Sequence, residues 1–150
     1  MKKNKIFIAD DHRLFLDGLE SILSSVDEFE IVGHAYSGKE ALSAIKELKP
    51  TIAILDISMP DINGIEITKI VKKIFPDIKI LILTMHLHRR MIIEALKAGA
   101  DGYLLKDSDF DELCLAIYSV FNNNKYIQPS LVNKLNNRLI RDEIDQSRSL

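Results

Sequence analysis

Five short, almost wholly apolar runs, at residues 6–9, 29–35, 52–55, 78–83 and 102–105, alternate with stretches whose apolar residues recur every three or four positions. A run that is apolar throughout, rather than at every second residue, suits a strand covered on both faces. The intervening stretches align Phe15, Leu19, Ile22, Leu23 and Val26 on one helical stripe. They then align Ala41, Ala44, Ile45 and Leu48; Ile67, Ile70, Val71 and Ile74; Met91, Ile92, Ala95 and Leu96; and last a stripe within 110–121. Each stripe predicts an amphipathic helix with one face for a sheet. Parallel neighbours need a crossover about as long as a helix, and such crossovers are right-handed. Strict β-α alternation therefore predicts an α/β fold, a doubly wound five-stranded parallel sheet with helices on both faces.

Local signals mark the same boundaries. Ser37, three residues before Glu40, reads as a capping box, Ser108 is expected to cap the fifth helix, and Pro50 and Gly99 stand just past helix ends. With 150 residues, 47% of them hydrophobic, the chain can bury one sizeable core but has no room for a second full domain. A net charge of −2 with interspersed signs gives no broad electrostatic case for nucleic acid or an anionic membrane. No apolar stretch approaches the roughly 18 residues of a membrane span, so a soluble cytoplasmic protein is the default expectation. Cys114 has no second cysteine to pair with, and its helical stripe makes it a small core residue. Asn122, Asn123 and Asn124 break the fifth helix. After Pro129, Leu131, Leu135 and Leu139 recur at four-residue spacing to about residue 145. The expected organisation is a domain over 1–123 and a linker with a sixth helix over 124–150.

In an open parallel sheet ligands bind beyond the carboxyl ends of the strands, so the polar residues that terminate each run carry the chemistry. The first run ends in Asp10 and Asp11, the third in Asp56, the fourth in Thr84 and the fifth in Lys106. Three converging carboxylates repel one another, and a hard divalent cation relieves that repulsion. Mg²⁺, which takes few protein ligands and keeps water and phosphate oxygens, suits a partly open site. Asp61 and Asn63 do not make a calcium loop, because Asp-Ile-Asn-Gly lacks that motif's ladder of oxygen ligands. A lysine and a hydroxyl opposite the carboxylates suit phosphoryl transfer, which needs its charge neutralised and its nucleophile held in line. In that reading Asp56 is the nucleophile, Lys106 and Mg²⁺ supply positive charge, and Thr84 supplies a hydrogen bond.

Each residue alone has a simpler reading. Asp10 and Asp11 can cap a helix, Asp56 can be a strand-end acid, Thr84 a β-branched strand residue, and Lys106 an exposed cation. Convergence at one sheet edge favours the functional reading. His86 and His88 are too sparsely accompanied for a transition-metal site, and His12 and His34 have no evident role.

Residues 4–121 resemble the receiver domains of two-component response regulators (CheY-like). The resemblance rests on Ile-Ala-Asp10-Asp11-His, Leu-Asp56-Ile-Ser-Met-Pro60 followed by Gly64, Leu-Thr84, and Ala-Gly99-Ala-Asp-Gly-Tyr103-Leu-Leu-Lys106. It implies a flavodoxin-like strand order 2-1-3-4-5 and Asp56 as phosphoacceptor. It also implies Mg²⁺ held by Asp11, Asp56 and the backbone carbonyl of Ser58, with Asp10 acting through water. Thr84 and Tyr103 would form a switch pair, and Ser58 and His86 would tune dephosphorylation. The implied donor is a sensor histidine kinase. The implied activity is that of a switch, which catalyses no more than its own phosphotransfer and slow autodephosphorylation.

A competing reading is a phosphohydrolase of the haloacid-dehalogenase-like kind, but those use Asp-x-Asp, and Ser58 stands two residues after Asp56. Dinucleotide binding fails because the loop after the first strand lacks glycines. Residues 124–135 are similar to the junction in NarL/FixJ-type transcriptional regulators, in which a helix-turn-helix domain follows. No recognition helix lies within these residues, so DNA is an expected partner only through a domain absent from this chain. A stand-alone receiver acting by protein contacts is the alternative. Phosphorylation is expected to favour a homodimer, with the tail helix contributing.

Overall fold

The computed structural model describes residues 4–86 and 88–134. Its strands are β1 (Asn4–Ala9), β2 (Phe29–Ala35), β3 (Ile52–Leu55), β4 (Lys79–Thr84), β5 (Gly102–Leu105) and β6 (Tyr126–Ile127). The helices are α1 (Arg13–Ser24), α2 (Gly38–Leu48), α3 (Gly64–Ile74), α4 (Arg89–Lys97), α5 (Phe110–Phe121) and α6 (Pro129–Lys134). All pairings are parallel, in the order β2-β1-β3-β4-β5-β6. The first five strands follow the expected order, and the sixth is an addition at the β5 edge. Two residues are too few to show periodicity, so this strand has no pattern in the sequence.

Successive strand residues face opposite layers. Phe7, Ala53, Ile80, Ile82 and Tyr103 pack with α2, α3 and α4, while Ile6, Ile8, Ile54, Leu81 and Leu104 pack with α1 and α5. Each buried Ile or Leu contributes about 1.5–3 kcal/mol relative to exposure, so the sheet is held from both sides. This two-sided burial is why the sequence shows continuous rather than alternating apolar runs.

Ser37 caps α2 as expected, its Oγ accepting from the Glu40 N–H at 3.3 Å. The expected cap of α5 is corrected. Asp109 holds that position, accepting from the Glu112 N–H at 2.8 Å, while Ser108 Oγ is buried without a hydrogen-bond partner. A carboxylate at a helix N-terminus gains from the helix dipole as well as from the bond, so it outcompetes a hydroxyl.

Residues 126–131, read from the sequence as linker, pack against the β5 edge. Tyr126 and Ile127 pair with Gly102 and Tyr103, and Leu131 is buried in the α2/α3/α4 layer. The sixth helix starts at Pro129 as expected, and its continuation through Leu135 and Leu139 lies outside the described residues.

Candidate functional site

Parallel pairing brings the carboxyl ends of β1, β3, β4 and β5 to one edge. The Asp56 N–H donates to the Ala9 carbonyl at 3.0 Å, and the Lys106 N–H donates to the Thr84 carbonyl at 2.8 Å, so the ladder continues into the site residues themselves. Asp10, Asp56 and Thr84 are buried, and Asp11 is exposed.

Lys106 joins the acids. Its Nζ lies 2.7 Å from Asp10 Oδ2 and 3.0 Å from Asp56 Oδ2, with all three side chains nearly inaccessible to solvent. Burial alone would lower its affinity for the proton. The bonds to Asp10 and Asp56 outweigh that and raise it above the ordinary lysine range, so the ammonium is a fixed positive charge. The ammonium also stands 4.8 Å from the centre of the Phe15 ring. Asp10 is turned by its other oxygen, which accepts from the His12 N–H at 2.8 Å.

The loop between β3 and α3 closes the opposite wall. At Gly64 a Cβ would meet the Asp56 carbonyl oxygen at 2.3 Å, so only glycine permits α3 to start this close to Asp56. Asp61 fastens the loop to the start of α2, accepting from the N–H groups of Gly38 at 2.7 Å and Lys39 at 3.0 Å. Desolvation pushes the Asp61 carboxyl up, but bonds from the Lys39, Ile62 and Gly38 amides prevail and hold it below the ordinary range. Ser58 Oγ and His86 Nε2 share a hydrogen bond of 2.6 Å, which ties this loop to the segment after β4.

Thr84 and Tyr103 meet that same segment. The Thr84 hydroxyl lies 3.4 Å from the His86 N–H, and the Tyr103 hydroxyl donates to the His86 carbonyl at 3.0 Å. The Tyr103 ring is fully buried on the α4 side of the sheet. Burial, and secondarily the charge of Asp56, raise its phenol well above the ordinary range and keep the donor protonated.

Asp10, Asp11, Asp56 and His12 each offer one ligand atom, all within 4.8 Å of one another. Three carboxylates against one ammonium leave the cluster negative, and its oxygen donors fit a hard divalent cation such as Mg²⁺. The structure thus gathers Asp10, Asp11, Asp56 and Lys106, sets Thr84 and Tyr103 one step away through His86, and places Ser58 on the facing loop.

Two contributors have no role in the sequence reading. His12 Nδ1 lies 3.2 Å from both Asp10 Oδ1 and Asp11 Oδ1 and 3.3 Å from Lys106 Nζ. Its adjacency to the acidic pair was the available signal. Asp61 acts across 23 residues, and no local signal marks it. His34 pairs instead with Glu20, outside the site.

The family model for the response regulator receiver domain matches residues 6–118. The chain belongs to this family. The transcriptional regulatory protein DegU of Brevibacillus brevis is 36% identical over 148 residues, covering 97% of this chain and 63% of that protein. A two-component response regulator of the LuxR family from Aurantimonas sp. SI85-9A1 superposes with a TM-score of 0.82 at 28% identity, over 99% of this chain and 100% of that one. The isolated REC domain of RcsB from Salmonella enterica serovar Typhimurium, solved with the phosphomimetic BeF3⁻, gives a TM-score of 0.83 at 25% identity. It covers 90% of this receiver chain and 100% of the RcsB chain. The receiver chain spans 63–65% of the length of the first curated relatives it matches. Among the described residues no helix is long and apolar enough to cross a membrane.

Proposed function

We propose that this receiver is a switch operated by phosphorylation of Asp56, with a sensor histidine kinase as donor and a transcriptional regulator's output as target. One observation carries the reading: a buried Lys106 ammonium lies 3.0 Å from Asp56 Oδ2 and 2.7 Å from Asp10 Oδ2 at a shared sheet edge. An isolated pair of buried acids would be costly, whereas acids paired with a lysine beside a partly open mouth suit a phosphoryl group.

An Asp56 carboxylate oxygen attacks phosphorus, and a P–O bond forms as the donor's P–N bond breaks. The electron pair stays on the donor imidazole nitrogen, which takes a proton from solvent. Lys106 holds a phosphoryl oxygen, and Thr84 turns its hydroxyl to another. Asp10, Asp11, Asp56 and the backbone carbonyl of Ser58 would hold Mg²⁺. When bound, the ion supplies further positive charge to the transferring group.

The new charge pulls on Thr84, and Thr84 shares His86 with Tyr103. The segment 84–86 and the α4–β5 face therefore form the two-state element that the modification biases. Residues 1–123 are the switch, 124–150 the connection to the output, and DNA is contacted by a domain outside this chain. The relative named as a transcriptional regulatory protein, DegU, supports that output.

The test is incubation with acetyl phosphate and Mg²⁺, followed by detection of an acid-stable, base-labile acyl phosphate. One phosphoryl group per chain is expected, with none in Asp56→Asn. Undiminished labelling of that variant refutes the assignment, and rapid multiple turnover of phosphomonoesters refutes the switch.

A further inference from the structure

Five polar residues are buried among those described: Asp10, Asp56, Thr68, Thr84 and Gln128. Three belong to the site. Thr68 is satisfied within its own helix, donating to the Gly64 carbonyl at 2.7 Å. Gln128 remains, only 8% exposed and just past β6.

Its contacts converge on β5. The backbone N–H of Gln128 donates to the Tyr103 carbonyl at 3.1 Å, and its side-chain Oε1 accepts from the Leu105 N–H at 2.8 Å. The main chain cannot continue this ladder, because Pro129 starts α6 with φ fixed and no N–H. The glutamine amide therefore stands in for the next carbonyl of the strand. The Gln128 carbonyl meanwhile accepts from the N–H groups of Leu131 at 2.9 Å and Val132 at 3.3 Å, in the first turn of α6.

On its other side β5 is held by β4. Leu105 pairs with Thr84, and the Lys106 N–H donates to the Thr84 carbonyl at 2.8 Å. The residue that precedes Lys106 is thus clamped between Thr84 and Gln128. Lys106 Nζ reaches both Asp10 and Asp56, at 2.7 and 3.0 Å, from a backbone position that the end of β5 sets.

We propose that Gln128 is a positioning residue for the phosphoacceptor site: it holds the end of β5 that carries Lys106 and ties that end to α6. The inference rests on Asp56 as phosphoacceptor and extends that site to a residue past the fifth helix. Movement of Lys106 toward a phosphoryl group is carried through Leu105 to Gln128 and from there to the first turn of α6. The converse also holds, so a constraint on α6 alters the reactivity of Asp56.

Two variants of the full chain separate this role from simple packing. Gln128→Met keeps length and apolar volume but loses the acceptor, whereas Gln128→Glu keeps an acceptor. With acetyl phosphate as donor, Gln128→Met is expected to lower the maximal phosphorylation rate about tenfold, the scale seen when a residue that orients a reacting group is lost. The Mg²⁺ concentration for half-maximal rate should change by less than about twofold, because the carboxylates sit on β1 and β3. Gln128→Glu should recover most of the rate. In the wild-type protein, BeF3⁻ with Mg²⁺ should shift the Leu105 amide and Gln128 side-chain amide resonances in step with the Asp56 amide. An unchanged rate in folded Gln128→Met, or Gln128 resonances that stay still while Asp56 responds, overturns the proposal. If Gln128→Met does not fold, the wild-type resonances decide. A wild-type protein that is never labelled and whose Asp56 amide ignores BeF3⁻ overturns the phosphoacceptor reading itself.

Discussion

Replacing Asp11 by asparagine removes one of three carboxylates at the site while keeping the side-chain shape. Two unit charges 4.8 Å apart, the distance within which all the cluster's ligand atoms lie, repel by about 3.5 kcal/mol at an effective dielectric of 20 and about 0.9 kcal/mol in bulk water. The Asp11 side chain is 38% exposed, which puts it toward the watery limit. It faces Asp10 and Asp56, and Lys106 between them offsets about one of the two repulsions. The net gain for Asp11→Asn is therefore about 1 kcal/mol in metal-free protein, or about 4 °C in Tm. Mg²⁺ reverses the order. At tenfold excess over its dissociation constant it stabilises the wild type by about 1.4 kcal/mol, and a variant without that carboxylate gains much less. Urea denaturation in EDTA and again in Mg²⁺ reads both effects from the midpoints at constant slope. An Asp11→Asn protein no more stable than wild type in EDTA, or an order that Mg²⁺ leaves untouched, would show that repulsion at this cluster is not what the metal relieves.

Gly64→Ala places a methyl group 2.3 Å from the Asp56 carbonyl oxygen. It should cost about 2–3 kcal/mol in urea unfolding and slow labelling of Asp56. Gly18→Ala serves as its control: a Cβ there meets nothing within 4 Å, so this exposed helix position should gain about 0.5–1 kcal/mol. Alkaline pH should weaken the fold through its tyrosines. A hydrogen bond to Glu28 raises Tyr118 to about 12, and burial followed by a hydrogen bond to Glu112 raises Tyr126 to about 12. Between pH 10 and 12 the folded state then holds protons that the unfolded state has released, and stability falls as pH rises. Unfolding midpoints across that window should fall less steeply in Tyr118→Phe and Tyr126→Phe, and slopes unchanged in both would refute the linkage.

Legibility in the sequence followed the range of the interaction. The β-α alternation, the Ser37 cap and the turn at Gly99 each depend on residues a few positions apart, and each left a pattern. Asp10, Asp11, Asp56, Thr84 and Lys106 were legible for a different reason. Parallel strands deliver their carboxyl ends to one edge, so a polar residue ending an apolar run is placed near the others by topology alone. The α5 cap falls on Asp109 rather than Ser108 because both are competent and adjacent, and the carboxylate's added gain from the helix dipole decides between them.

What the sequence by itself determined is therefore the layered fold and the convergence of these acids, hydroxyl and lysine at the carboxyl-end edge of its sheet. Tertiary structure alone decided how those groups are held. It brought Lys106 against His12, used Asp61 to fasten the loop beside Asp56 to α2, and joined Tyr103 to the segment after β4 through His86. It also completed the sheet with β6 and the side chain of Gln128. The reason is physical. Periodicity records which face of an element is buried, whereas a single polar contact between residues 17 to 23 positions apart or more depends on the arrangement of the whole core and leaves no periodic trace.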